Sequence, residues 1–208
     1  NKKIVIGGSL PAQHDTYKED IREDNIIYKG FSEQVSCIKD YVDFFYLDVI
    51  SSGREIDIAS DVIDEHNKPI LVGLHLNKKG KLPSGETITE VVKKYKHSSW
   101  VGIIASCVSM EIAENSIAEL KKQNLPFGYK VNLWGKDEPS PVREINTAKH
   151  DEDAVNLNTV MGKKEVADEL FKNLGKKFLD NGATIIGGCC ETNPIHISLL
   201  SKLKKDFA

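Results

Sequence analysis

The sequence predicts an α/β fold built on a parallel sheet, and three observations carry that expectation. Short runs rich in Val, Ile and Phe recur six times along the 208 residues. Each run is followed by a longer segment of helical character, several of them opening on helix-start residues. The composition, 40% hydrophobic and 28% charged, is that of a globular chain long enough to bury one sizeable core.

In order, the runs are "KIVIGGS" (3 to 9), "VDFFYLDVI" (42 to 50), "PILVGLHL" (69 to 76), "WVGIIASC" (100 to 107), "PFGYKVNLW" (126 to 134) and "ATIIGGCC" (183 to 190). Near-continuous apolar character at this length suits strands covered on both faces, as parallel sheets require. Cys37 falls in the helical segment before the second run and is expected in the core. After the second run Ser52 and Glu55 have capping-box spacing, and after the third so do Thr87 and Glu90. The polar, proline-bearing stretch from 135 to 160 breaks the rhythm and reads as a loop with a function of its own. Val166, Leu170, Leu174 and Phe178 then recur four apart and place a helix that ends near Gly182. After the sixth run Asn193 with Pro194 fits an N-cap followed by proline at the first helical position.

Two architectures fit this rhythm, an open doubly wound sheet and a (β/α)8 barrel. "IGGSLPAQ" after the first run is not a dinucleotide fingerprint, which weakens the first. A barrel needs eight strands, and six are counted.

A formal charge of −3 gives no electrostatic reason to expect nucleic acid or an acidic membrane surface as partner. No apolar stretch approaches the roughly 20 residues needed to span a bilayer. "NKKIVIGGSL" has too short an apolar part for a secretory signal. Four cysteines, Cys37, Cys107, Cys189 and Cys190, are too few for a disulfide framework, so a reducing cytoplasm is the expected compartment.

Cys107 closes the fourth run, and Cys189 with Cys190 closes the sixth. In a parallel α/β fold all strand C-termini open on one face, so three thiols distant in sequence can converge there. Three thiolates form a soft site suited to Zn²⁺ with one tetrahedral position left open. Gly187 and Gly188 let the backbone come close to a ligand. Burial in the core is the plainer alternative for each cysteine. A dithiol redox pair lacks the usual two-residue spacer.

At these residues the sequence resembles the zinc-dependent homocysteine S-methyltransferases. "GGCCETNPIHI" is similar to the family's Gly-Gly-Cys-Cys-Gly-Thr-x-Pro-x-His-Ile, with Glu191 in place of the usual glycine after the cysteines and Asn193 at the variable position. "IIASC" resembles the strand end carrying the earlier zinc cysteine, with Ser106 for asparagine. "YLDVISSGRE" resembles Phe-Glu-Thr-Ile-Pro-Ser, with Asp48 for glutamate. "GKLPSGETITE", "YKVNLWG" and "IGGSLPAQ" look like further family stretches.

The resemblance implies a TIM-barrel type (β/α)8 fold with about six of eight units present, because the family's first two strands have no counterpart here. Residues 1–208 would form one homocysteine-binding domain, a partial barrel. It implies Zn²⁺ on Cys107, Cys189 and Cys190, with homocysteine as methyl acceptor, a small cationic molecule as donor and methionine as product. Asp48 would hold the substrate amino group and serve catalysis, or else cap the helix that follows. Asn132 would touch substrate or bond strand-end backbone. His196 would hydrogen-bond near the last helix start, and His75 would face the pocket or pack. A homo-oligomer, or a partner chain completing the barrel, is the expected assembly. The rival reading is a zinc-binding subunit that is catalytically weak without that partner.

Overall fold

The computed structural model describes residues 4–135 and 162–206. Six strands form one sheet: β1 (Gly7–Pro11), β2 (Phe44–Ile50), β3 (Ile70–Leu74), β4 (Trp100–Val108), β5 (Phe127–Val131) and β6 (Ile185–Gly188). Their order in space is their order in the chain, and every neighbouring pair is parallel. A doubly wound sheet reverses its order at a switch point. This one never does, so the winding is that of a barrel carried through six units, and right-handed crossovers put the helices on one face. The helices are α1 (Asp24–Ile38), α2 (Gly53–Asp64), α3 (Ile88–Tyr95), α4 (Met110–Lys121), α5 (Asp168–Asp180) and α6 (Pro194–Asp206).

Side chains alternate along each strand. Phe45, Leu47, Ile70, Val72, Ile103, Ala105, Phe127, Tyr129 and Val131 point outward and are buried against Ile27, Phe31, Ile56, Ile63, Ile117 and Phe178 of the helices. The register partners Ser9 and Tyr46, Ser106 and Lys130, and Lys130 and Gly187 point the other way, into the barrel. A Cβ added at Gly102 would sit 3.2 Å from both Leu71 and Ile185, so the inner face closes tightly at its lower end. Among the described residues β1 and β6 each pair on one side only.

Thr87 and Glu90 make the full capping box expected of them. Ser52 accepts from the Glu55 amide, but the Glu55 carboxylate takes the Ser52 hydroxyl and the Asp20 amide instead of the Ser52 N–H. That box is half made, because the loop after β1 claims the carboxylate.

Three expectations are corrected. The first strand starts at Gly7, not Lys3; Ile4, Val5 and Ile6 are exposed, with no described helix over them. Cys37 is exposed, because α1 buries the stripe Ile27, Phe31 and Val35, and position 37 falls off it. In α5 the buried stripe is Phe171, Leu174, Gly175 and Phe178, while Leu170 is exposed and Val166 precedes the helix. Gly175 defines that stripe: a Cβ there would lie 2.7 Å from Leu200 on α6. The loop expected over 135 to 160 lies, beyond Gly135, outside the described residues.

Candidate metal centre

The C-terminal end of β4 does not finish as a regular strand. Its register with β5 shifts between Ser106 and Val108, and Cys107 at the irregularity has φ 51°. Such a bulge re-aims one side chain out of the pleat. β2 does the same between Leu47 and Ile50, where Val49 has φ 60°. For a β-branched residue that is an unfavourable conformation, held only because its surroundings over-determine it. Tyr17 (φ 71°) and Glu191 (φ 64°) lie at the same end, so four left-handed non-glycine residues gather around one spot.

That spot is the cysteine cluster. The sulfur atoms of Cys107, Cys189 and Cys190 all lie within 4.8 Å of one another. Cys190 Sγ stands 3.8 Å from Cys107 Sγ and 3.8 Å from Cys189 Sγ. Three sulfurs bound to zinc at about 2.3 Å with tetrahedral angles lie about 3.8 Å apart. The donor set and its spacing therefore fit the ion.

Local bonds set each thiol. Cys189 N–H donates to Val131 O at 2.7 Å, and Leu133 N–H donates to Cys190 O at 3.0 Å, locking the turn after β6 to the end of β5. Thr192 closes the turn with its hydroxyl on Cys189 O. Asn193 Oδ1 accepts from the amides of Ile195 and His196, and His196 Nδ1 accepts from the Asn193 N–H. His196 thus acts at the helix start as expected. Asn132 donates to Cys107 O at 2.7 Å and approaches its sulfur at 3.7 Å, while its own carbonyl accepts from Trp134 N–H.

The three thiols share charge. Hydrogen bonds donated by Cys189 and Cys190, joined by Tyr17 and Asn132, lower the Cys107 pKa to about 3. Cys189, which hydrogen-bonds Cys107, is pushed up to about 11. Cys190 is also raised, by its bonds to the other two. One proton leaves the cluster readily and the others are held; a cation bound there would displace them.

A small apolar group of Val49, Cys107 and Trp134, with Tyr17, Cys189 and Cys190 against it, stands apart from the main core. Tyr17 OH lies 3.4 Å from Cys107 Sγ. Its ring meets His75 at 4.7 Å and Trp134 at 5.7 Å between centroids. Burial, then the neighbouring thiolates, hold the Tyr17 hydroxyl protonated. His75 is buried, with Nδ1 3.4 Å from Ser106 O. Tyr17 left no mark in the sequence reading because a lone tyrosine in a polar loop carries no periodic signal.

Asp48 lies inside the barrel at the same end. Lys130 Nζ reaches its two oxygens at 2.7 and 2.8 Å, Ser106 Oγ donates at 3.1 Å and Ser9 Oγ at 3.4 Å. The helix-capping alternative for Asp48 fails, because Ser52 caps α2. Burial works against the charge on Lys130, but Cys189 and Asp48 outweigh it and raise its pKa. Lys130 was missed, although a lysine inside the apolar run "PFGYKVNLW" was a readable sign.

The family model for homocysteine S-methyltransferase matches residues 1–203. No curated protein matches in sequence. The fold is similar to that of the Escherichia coli homocysteine methyltransferase MmuM. Its apo form is 15% identical with a TM-score of 0.69, over 96% of this chain and 62% of that one. The oxidised form gives 17% and 0.68, over 96% and 61%; the metallated form gives 15% and 0.67, over 90% and 55%. The chain thus spans less than two thirds of the length of those proteins.

Proposed function

The chain belongs to the homocysteine S-methyltransferase family, and from that premise we propose that it moves a methyl group from a small cationic donor to the sulfur of homocysteine, with Cys107, Cys189 and Cys190 as ligands of Zn²⁺. The observation that carries this reading is the sulfur triad, gathered within 4.8 Å with two separations of 3.8 Å, the spacing a tetrahedral zinc site requires. Bound there, the ion supplies a Lewis acid that keeps a substrate thiol deprotonated at neutral pH.

The rest is the work of the chain's own residues. Asn132 holds Cys107 through its carbonyl and so fixes one corner of the triad. The apolar wall of Tyr17, His75 and Trp134 shields Cys107, which is buried while Cys189 and Cys190 stay partly open, and its tyrosine and tryptophan rings suit a cationic donor. Asp48 and Lys130 form the polar floor beneath. Methyl transfer between two positioned groups needs alignment more than proton shuttling. No helix among the described residues is long and apolar enough to cross a membrane.

A second reading, a zinc-binding subunit that works only when another chain completes the barrel, is favoured by the one-sided pairing of β1 and β6 among the described residues. Zinc per chain, measured after purification under reducing, chelator-free conditions, tests the first premise of both. About one zinc is expected, lost in Cys107→Ala and in Cys189→Ala; a folded wild type without zinc would remove the triad as a metal site. Methionine formation by the zinc-loaded chain alone then favours the enzyme, and zinc without turnover favours the subunit.

A further inference from the structure

A charged pair one layer beneath the cysteines narrows the substrate class, on the premise that the triad holds a substrate sulfur. A carboxylate offers about four acceptor positions. In Asp48 all are in use: Oδ1 takes Lys130 and Ser106, and Oδ2 takes Lys130 and Ser9. An ammonium has three donors, and Lys130 directs two of them at Asp48. Its third is left toward the barrel interior, where the side chain is 22% exposed with the Tyr46 ring 5.1 Å away. The pair is therefore full as an acceptor and open as a donor. It suits an added anion better than an added amine.

The distances agree. Lys130 is the register partner of Gly187, and Cys189 stands two residues beyond it, just past the end of β6, about 6.6 Å along at the rise of a parallel strand. Between them there is room, because a Cβ added at Gly187 would meet only Tyr129 O, at 3.8 Å. In an amino-acid thiol such as homocysteine, three carbons separate sulfur from the carboxylate carbon, about 5 Å when extended. A sulfur held at the triad hangs its carboxylate at the level of the lysine.

We propose that Lys130 is the specificity residue that receives the carboxylate of the substrate thiol, with Asp48 positioning the lysine ammonium and not binding the substrate amine. The site then selects thiols bearing an acid group three carbons from sulfur, with or without the amine.

Calorimetric titration of the zinc-loaded protein tests this with three thiols: L-homocysteine, 4-sulfanylbutanoate, which lacks the amine, and 3-aminopropane-1-thiol, which lacks the carboxylate. The first two are expected to bind about 10- to 100-fold tighter than the third, the range of a charge-assisted hydrogen bond. Lys130→Met with Asp48→Asn removes the lysine without freeing a carboxylate for the amine, so it should bring the first two down to the level of the third and leave the third unchanged, and Lys130→Arg should keep part of the preference. The single variant Lys130→Met leaves Asp48 with two free acceptor positions, so it should weaken 4-sulfanylbutanoate as the double variant does. Equal affinities in the wild type, or variants that weaken all three thiols alike at unchanged zinc content, would overturn the assignment of Lys130. Failure of a zinc-loaded protein to bind any of the three is a separate result, and would overturn the thiol-acceptor reading together with this one.

Discussion

On the outer face of the sheet, Phe45, Leu47, Ile70, Val72, Ile103 and Tyr129 are enclosed between strands and helices without a charge among them. On the inner face, alternate residues of β2, β4 and β5 are Tyr46, Asp48, Ser106 and Lys130, joined by hydrogen bonds; Ser106 is buried, while Tyr46, Asp48, Lys130 and the neighbouring Gly187 of β6 are partly open to solvent. The outer face holds the strands in register. The inner face and the bulged strand ends carry the chemistry, and they also hold the left-handed residues Val49 and Cys107. Strain of that kind is tolerated only because the outer layer fixes everything around it. Substitutions on the two faces should therefore separate stability from binding.

The largest effect on stability belongs to the outer face. Phe178 is fully buried, with its ring 4.5 Å from Tyr129 and 6.5 Å from Phe127. Phe178→Ala is expected to cost about 3–5 kcal/mol of unfolding free energy, read as a drop in the denaturation midpoint. Zinc per folded chain should not change. Loss of zinc from the folded fraction would mean that the two faces are coupled more tightly than their separate packing implies.

The same division explains what the sequence could convey. Outer strands and helices were legible because burial imposes a repeating apolar pattern, and the Thr87 cap was legible because its two partners are local. The cysteines were legible because strand ends of a parallel sheet share one face and because "GGCC" is an unusual string. Cys37 and Leu170 were misplaced for one reason: a helical stripe can be drawn through several neighbouring residues, and only the packed structure selects one. Tyr17 was invisible. Its place over Cys107 depends on a loop held by Arg54 donating to Asp20 O and by Glu55 accepting from Asp20 N–H, contacts more than thirty residues apart. Lys130 was read as part of an apolar run, and its pairing with Asp48 reaches across the two strands between β5 and β2.

Glu55 gives an effect of intermediate size where the outer layer meets the Tyr17 loop. It is 1% exposed, and its Oε1 has no hydrogen-bond partner among the described residues. Burial raises its pKa from 4.5 to about 7, against the opposing bonds from Ser52 and the Asp20 amide. A carboxyl raised in the folded state stabilises it fully below the unfolded pKa and loses that contribution as pH rises through the folded one. Stability should therefore fall between about pH 4.5 and pH 7 by about 3 kcal/mol from this group. Glu55→Gln should flatten that part of the pH profile of chemical denaturation. An unchanged slope would show that the carboxylate reaches solvent or a cation when ionised.

The smallest stability effect is expected on the inner face, at Gly187. Its φ lies outside the left-handed region, and an added Cβ meets only Tyr129 O at 3.8 Å. Gly187→Ala should thus leave the unfolding free energy within about 0.5 kcal/mol of wild type, since alanine also restricts the unfolded chain. The same methyl would occupy the space between Lys130 and Cys189, so affinity for 4-sulfanylbutanoate should fall while zinc content holds. A variant that binds the acid thiol as well as wild type would mean that the substrate chain runs along β4 or β5 instead of β6. One that unfolds would mean that the inner face is packed as tightly as the outer, and the division between the two would not stand.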